Sequence, residues 1–237
     1  MAKEPDRRIE AGNPLGADDE GRWSARGADG DHRDPFPPIG SGLDRDDPRL
    51  DEELLSGGDT RNVVDGYRMW SVEAIRADLD SSRAALHIAI ENLQHDLNIG
   101  SIVRTANAFN VGGVHIVGRR RWNRRGAMVT DRYLHVHHRP EADDLARWAK
   151  DHDYRLIGID NTPPCTDLES APLPERCVLV FGQESTGISP ELLAACAEVR
   201  KIPMYGSTRS MNVAAAAAIA MHAWSYVHQY GRALPTA

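Results

Sequence analysis

The chain has 237 residues with 28 Lys+Arg against 35 Asp+Glu, a formal net charge of −7, and only 6% aromatic residues, which suits one domain of ordinary size with an extension. Its three cysteines, Cys165, Cys177 and Cys196, form no C-x-x-C pair, which excludes a disulfide framework and points to a reducing cytoplasm. No apolar run approaches the ~20 residues of a membrane span, and the N-terminus lacks the apolar core of a signal peptide. The charge is uneven: residues 1–80 hold 20 acidic against 11 basic side chains, residues 81–237 hold 15 against 17. The acidity therefore belongs to the first third and does not argue against a nucleic-acid partner for the rest.

Residues 1–62 are rich in Asp, Arg, Gly and Pro, with breaker runs such as Asp34-Pro35-Phe36-Pro37-Pro38. They carry too little periodic apolar surface to offset their ordering entropy and read as a disordered leader, either a solubilising tail or a partner-binding arm. Residues 63–83 hold an entry helix, with Trp70, Ala74, Ile75 and Leu79 at helical spacing and Ser71 as N-cap. The folded domain is expected over 84–232. Ala85 to Leu93 alternates, with Leu86, Ile88 and Ile90 in phase, and predicts the first strand. Ile99 to Asn110 predicts a helix with Ile102, Val103, Ala106 and Phe109 on one face and Asn98 as its cap. Gly112-Gly113 closes that unit, and Val114 to Val117 follows as a strand. A strand, a helix and a strand at this spacing form a βαβ unit, so the sheet is expected to be parallel.

A short helical piece to Tyr133 comes next, then Leu134 to His137 as a strand, Glu141 to Asp151 as a helix and Tyr154 to Asp160 as a strand. Asn161 to Glu175 contains four prolines and reads as a loop. Val178-Leu179-Val180-Phe181 is a buried strand; Val199 to Met204 is a mixed one, with Arg200 and Lys201 inside it. Each of these two runs into a polar loop and then a helix, the last from about Val213 to Tyr230. Ligands on open α/β sheets collect beyond the C-terminal ends of the strands, so the two loops predict two walls of one pocket.

The βα turns lack both G-x-x-x-x-G-K-[ST] and G-x-G-x-x-G, which disfavours a nucleotide-dependent oxidoreductase. Gly182 directly follows a buried strand, where a missing Cβ admits close backbone approach. Ser189-Pro190-Glu191 is a helix start. Ser207 to Asn212 is almost wholly polar, and Asn212 can cap the last helix. Arg104 either faces solvent or reaches into the pocket to hold a phosphate. Arg119, Arg120, Arg121, Trp122, Arg124 and Arg125 place five arginines and one indole in seven residues. That is a solvated loop or, as the physical argument favours, a grip on an RNA backbone with a stacking ring. Ten histidines suggest a metal, but His135, His137 and His138 have no carboxylate or thiol at ligand spacing and read as solvent-facing. No metal is expected.

Three motifs then match one family in order: Asn98-Ile-Gly-Ser-Ile-Val-Arg104-Thr-Ala-Asn-Ala-Phe109, Val180-Phe-Gly182-Gln-Glu184-Ser-Thr-Gly187-Ile-Ser, and Ile202-Pro-Met204 followed by Ser210-Met-Asn212-Val-Ala. Over about residues 84–230 the sequence resembles the SpoU (TrmH) branch of the SPOUT RNA methyltransferases. The resemblance implies an α/β fold, a mostly parallel sheet flanked by helices with a C-terminal trefoil knot, which no periodicity predicts. It implies a homodimer, S-adenosylmethionine as cofactor, and methylation of a ribose 2′-hydroxyl in tRNA or rRNA. The cofactor binders it implies are Gly182, Ile202, Met211, Ser210 and, less directly, Asp160. Its catalytic set would be Arg104, Asn98, Glu184, Ser210 and Asn212, with Arg104 at the hydroxyl or its phosphate, Asn98 orienting Arg104 and Glu184 anchoring the loops. The Ser-Met-Asn motif is similar to that of wobble-ribose enzymes, the Gly-Gln-Glu-x-Thr-Gly loop to that of D-loop guanosine enzymes, so the nucleotide stays open. A non-catalytic RNA-binding or assembly factor on the same fold is the alternative, carried by the arginine cluster and the leader.

Overall fold

The computed structural model describes residues 46–91, 96–183 and 186–232. Two compact units divide the chain, Met1–Met69 and Trp70–Ala237. Most of the predicted leader, residues 1–45, lies outside the described residues. Its remainder carries local order: Asp51 accepts from the amides of Glu53 and Leu54 and so caps a six-residue helix, α1 (Glu52–Gly57). The Asp59 carboxylate is 4% exposed. It accepts from the Met69 amide at 3.0 Å and from Arg61 Nη2 at 2.7 Å. Burial pushes its pKa up, but the bonds from Arg61 and the Met69 amide outweigh that and hold it at about 2.

The second unit runs α2 (Val72–Asp80), β1 (Ala84–Glu91), α3 (Asp96–Ala108), β2 (Val111–Val117), β3 (Val136–Arg139), α4 (Ala142–Asp151), β4 (Arg155–Ile159), β5 (Thr166–Asp167), β6 (Cys177–Phe181), α5 (Pro190–Ala195), β7 (Glu198–Lys201) and α6 (Val213–His228). The seven strands form one sheet in the order β3-β2-β1-β6-β4-β7-β5, and every paired neighbour is parallel. Both faces are covered. Leu86, Ile88, Ile90, Cys177, Leu179 and Phe181 share a core with residues of α3 and α6. Ala89, Val178 and Val180 share the opposite one with α4 and α5 residues such as Leu145 and Leu192. Strands buried on both faces read as continuous apolar runs, which is why β6 was so plain in the sequence. No helix among the described residues is long and apolar enough to cross a membrane.

The caps at Ser71, Ser189 and Asn212 form as expected, each side chain accepting from amides of the first turn. Several expectations are corrected. Asn98 lies inside α3; its Oδ1 accepts from Asn212 Nδ2 at 3.0 Å, a tertiary partner in place of a local cap. Gly112 and Gly113 belong to β2 and do not precede it. A Cβ on Gly112 would lie 2.5 Å from His87 Nε2, so the glycines make room for a ring on β1. Asn161–Glu175 is not loop throughout, because Thr166 and Asp167 pair with Arg200 and Lys201 at the sheet edge. The charges inside β7 are likewise satisfied. Arg200, 5% exposed, pairs with Glu198 at 2.9 Å and donates to Ser170 Oγ at 2.6 Å. β7 stops at Lys201, and residues 202–211 leave the sheet.

The histidines near β3 do not face solvent unpartnered. His135 Nε2 meets Asp80 Oδ1 at 2.8 Å, and His138 Nε2 meets the Gly118 carbonyl at 2.9 Å. On the face under α4, His87 (β1), His115 (β2) and His137 (β3) form a row beside Trp148 and Tyr154. Arg139 Nε donates to His115 Nδ1 at 3.1 Å, which leaves Nε2 of that ring as the proton carrier toward His87 Nδ1, also 3.1 Å away. Both rings are neutral. Burial chiefly, then neighbouring cationic groups, pushes His87 down to about 3 and His115 down to about 2.

Candidate functional site

β6, β4 and β7 are consecutive in the sheet, and beyond their C-terminal ends lies a cavity of about 400 Å³. Three loops wall it. The loop after β4 gives Asp160, Asn161 and Thr162; the loop after β6 gives Gly182, Gln183, Thr186 and Gly187; the segment after β7 gives Ile202, Met204 and Arg209 to Met211. The floor is apolar, with Ile159, Phe181, Val213 and Ala216.

The geometry of the loop after β6 explains its glycines. Gln183 and Gly187 exchange backbone hydrogen bonds, both 2.9 Å, and close a tight turn. A Cβ on Gly182 would stand 2.1 Å from the Gly187 carbonyl carbon. Gly187 has φ +70°, and a Cβ there would lie 2.6 Å from Asp160 Oδ2. Carboxylates from either side pin the loop's far end. Just past β4, Asp160 Oδ2 accepts from the Ile188 amide at 3.0 Å, while its Oδ1 accepts from the Thr162 amide at 3.0 Å and from Thr162 Oγ1 at 2.8 Å. From β1, Glu91 Oε2 accepts from the next amide, Ser189, at 2.7 Å. Glu91 is 8% exposed. Asn161 Nδ2 donates to the Arg209 carbonyl at 2.7 Å and ties two of the walls together.

Gly182, Ile202, Met211, Ser210 and Asp160 therefore all line one cavity, although the Asp160 carboxylate is taken up by its own loop and the Ile188 amide. Asn98 and Asn212 meet beside it, Asn212 lying between the lining residues Met211 and Val213. Glu184 lies outside the described residues. Arg104 is exposed on α3 and is not among the residues lining the cavity. Sequence reasoning missed Glu91, Asn161, Thr162 and Arg209. A lone acid ending the apolar run Leu86–Ile90 was a visible signal for Glu91; the others had none.

The arginine cluster forms a second feature. Arg119, Arg120 and Arg121 are exposed. Asn123 Oδ1 accepts from the Arg125 amide and caps a 3-10 turn over Arg124–Ala127. Trp122 is half-buried against the core, with the Arg124 guanidinium 5.8 Å from its ring centroid. α3 sits on this turn at backbone distance: a Cβ on Gly100 would be 2.6 Å from Gly126 Cα. Cys177 and Cys196 are each pushed up to about 12 by burial, as suits core thiols. Among the described residues, no group of three or more His, Cys, Asp or Glu is placed to hold a metal.

A family model described as the SpoU rRNA Methylase family matches residues 85–222. The tRNA (guanosine(18)-2′-O)-methyltransferase of Borreliella burgdorferi is 26% identical over 140 residues, 58% of this chain and 64% of that protein. An uncharacterized tRNA/rRNA methyltransferase of Mycobacterium avium is 34% identical over 157 residues, 59% of this chain and 47% of that one. The match thus spans less than two thirds of the first relative and about half of the second. Among solved structures, the SpoU methyltransferase AviRb from Streptomyces viridochromogenes, in complex with the cofactor AdoMet, superposes with a TM-score of 0.59 at 23% identity, covering 65% of this chain and 62% of that one.

Proposed function

The chain belongs to the SpoU rRNA methylase family, and on that premise we propose that it transfers a methyl group from S-adenosylmethionine to a ribose 2′-hydroxyl of tRNA or rRNA, as a cytoplasmic homodimer. The trefoil knot is part of the same proposal, with the segment from Ile202 to Asn212 as its threaded part. One observation carries the reading: the loops after three neighbouring strands, β4, β6 and β7, converge on a single cavity.

The cavity suits the cofactor. Methionine and isoleucine side chains, Ile202, Met204 and Met211, give an apolar bed for a purine, and the surrounding loop backbone supplies donors and acceptors. When bound, the cofactor supplies a sulfonium methyl. The chain's own residues then orient and exclude water. Gly182, Ile202, Ser210 and Met211 hold the cofactor through backbone groups, and Asp160 and Glu91 fix the loop that Gly182 opens. Asn212 and Asn98 link the start of α6 to α3, the helix that carries Arg104. A guanidinium keeps its proton at neutral pH, so Arg104 positions the ribose-phosphate and does not act as base. In-line placement of methyl and hydroxyl oxygen is the main contribution such a site makes.

The test is transfer of labelled methyl to total tRNA and total rRNA, followed by mapping of 2′-O-methyl positions. Label on a ribose is expected. Cofactor binding without transfer to either RNA would sink the proposal. Gly182→Ala is expected to weaken S-adenosylmethionine binding by at least about tenfold, because its Cβ overlaps backbone that cannot yield without opening the Gln183–Gly187 turn. Calorimetric titration of the purified variant measures this, and unchanged affinity would remove Gly182 from the site.

A further inference from the structure

A second cleft lies at the other edge of the sheet, beside β3, with a volume of about 370 Å³. None of its lining residues belongs to the first cavity. Three guanidinium-bearing residues border it, Arg76 from α2, Arg124 from the 3-10 turn and Arg132 from the turn before β3, together with Trp122, Asp131 and His137. Arg76 donates to the Arg132 carbonyl and so holds one wall to the other. Asp131 and Arg124 pair at 3.4 Å, with the Arg124 side chain 74% exposed. Met128 and Val129 adopt left-handed backbone, φ 48° and 69°. A β-branched residue rarely does so, and such strain persists where the surroundings impose it. That kink turns the chain between Arg124 and Arg132, both of which line the cleft.

The chemistry selects a ligand that is anionic and planar at once. Several guanidiniums around one concavity suit a phosphate, Arg124 and Arg132 through their N–H forks and Arg76 through the N–H groups it does not spend on the Arg132 carbonyl. A half-buried indole is a stacking platform for a base, and the Asp131 carboxylate can accept from base N–H groups. Arg119, Arg120 and Arg121 lead directly into Trp122 and continue the positive charge past the cleft, as a strand longer than one nucleotide requires. We propose that this cleft takes one unpaired nucleotide of the substrate RNA, its phosphate among Arg76, Arg124 and Arg132 and its base against Trp122. The site rests on the methyltransferase reading only in calling that strand the substrate.

The experiment measures anisotropy of a fluorescein-labelled, unstructured ten-nucleotide RNA with the full-length protein, without cofactor. Trp122→Ala is expected to weaken binding on the order of tenfold, the worth of one stacked base, and Trp122→Phe to restore most of it. Arg132→Gln, an exposed position, is expected to weaken binding and lower the salt dependence by about one counterion. The same RNA in duplex form is expected to bind less well through this site. The proposal is overturned if Trp122→Phe binds no better than Trp122→Ala in variants of unchanged thermal midpoint, if Arg132→Gln binds as the unaltered protein does, or if polyglutamate displaces the RNA as well as unlabelled RNA does. That last result would mark a site for acidic peptides. Failure of methyl transfer with Trp122-dependent RNA binding intact would refute the catalytic reading and leave this site standing.

Discussion

Arg104→Ala is expected to lower methyl transfer by a factor on the order of a hundred or more, with S-adenosylmethionine affinity within about threefold of the unaltered protein. The asymmetry follows from where the residue stands. Arg104 lies on the exposed side of α3, one helical turn beyond Gly100, and the cavity for the cofactor is lined without it. Truncation should therefore leave the cavity lining in place and remove the fork proposed to fix a ribose-phosphate. Arg104→Lys recovers only part of the rate, because an ammonium keeps the charge and loses the planar bidentate geometry. If each cavity is completed by Arg104 of the partner subunit, two inactive chains can complement one another. Random mixing of Arg104→Ala with Gly182→Ala protomers then returns about a quarter of the activity, from mixed dimers with one intact site. Single-turnover rates and calorimetry on the same preparations check both statements. A large loss of cofactor affinity in Arg104→Ala would refute the positioning role, and no recovery on mixing would refute the shared site.

The protein is expected to lose on the order of 4 kcal/mol of stability between pH 7.5 and pH 5 through two buried histidines. His115 is fully buried and His87 nearly so. Burial is the main cause that depresses them to about 2 and about 3, while an unfolded chain returns both to about 6.5. Between these values the unfolded state binds more protons than the folded one, so stability is fully present above about pH 6.5 and drains as pH falls toward 3. At pH 5 each ring stands about 1.5 units below its unfolded pKa, about 2 kcal/mol apiece. This is a large share of the roughly 5–15 kcal/mol that holds most domains together. Protonating His115 is doubly unfavourable, since its Nδ1 would become a donor facing the donor Arg139 Nε. His137, Arg176 and His152 add like charge nearby. Asp59 acts in a separate window: its carboxyl, held at about 2, loses its contribution only below about pH 4. Urea unfolding at the two pH values measures the effect. His115→Gln, which can still accept from Arg139 and donate toward His87 but does not titrate, flattens the pH slope by roughly one proton. Equal stability at pH 5 and pH 7.5 would refute the linkage.

Much of the layout was legible because local chemistry repeats with the period of the element that carries it. Leu86, Ile88 and Ile90 alternate, Ile102, Val103 and Ala106 recur at helical spacing, and Cys177–Phe181 is apolar throughout, so β1, α3 and β6 could be read directly. The caps at Ser71, Ser189 and Asn212 were readable for the same reason: a side chain within three residues satisfies the amides it caps. What escaped depends on partners far along the chain. Thr166–Asp167 is a strand only because β7 offers a free edge. Asn98 is not the cap because α3 begins earlier, at Asp96, and its side chain meets Asn212, 114 residues away. The glycines of β2 were misread as a terminator because the His87 ring that needs their space sits on another strand.

The sequence by itself determined the parallel α/β character, the helix starts at Ser71, Ser189 and Asn212, and the two polar loops after β6 and β7 as walls of one pocket, because each follows from local pattern. Only the tertiary structure decided that the loop after β4 joins them as a third wall, that Glu91 and Asp160 pin adjacent amides from either side of β6, and that Arg104 stands outside the lining. Strand order is what separates the two. Placing β6 between β1 and β4 is a choice among long-range pairings that share the same local pattern, and the burial of both sheet faces under α3, α6, α4 and α5 selects it.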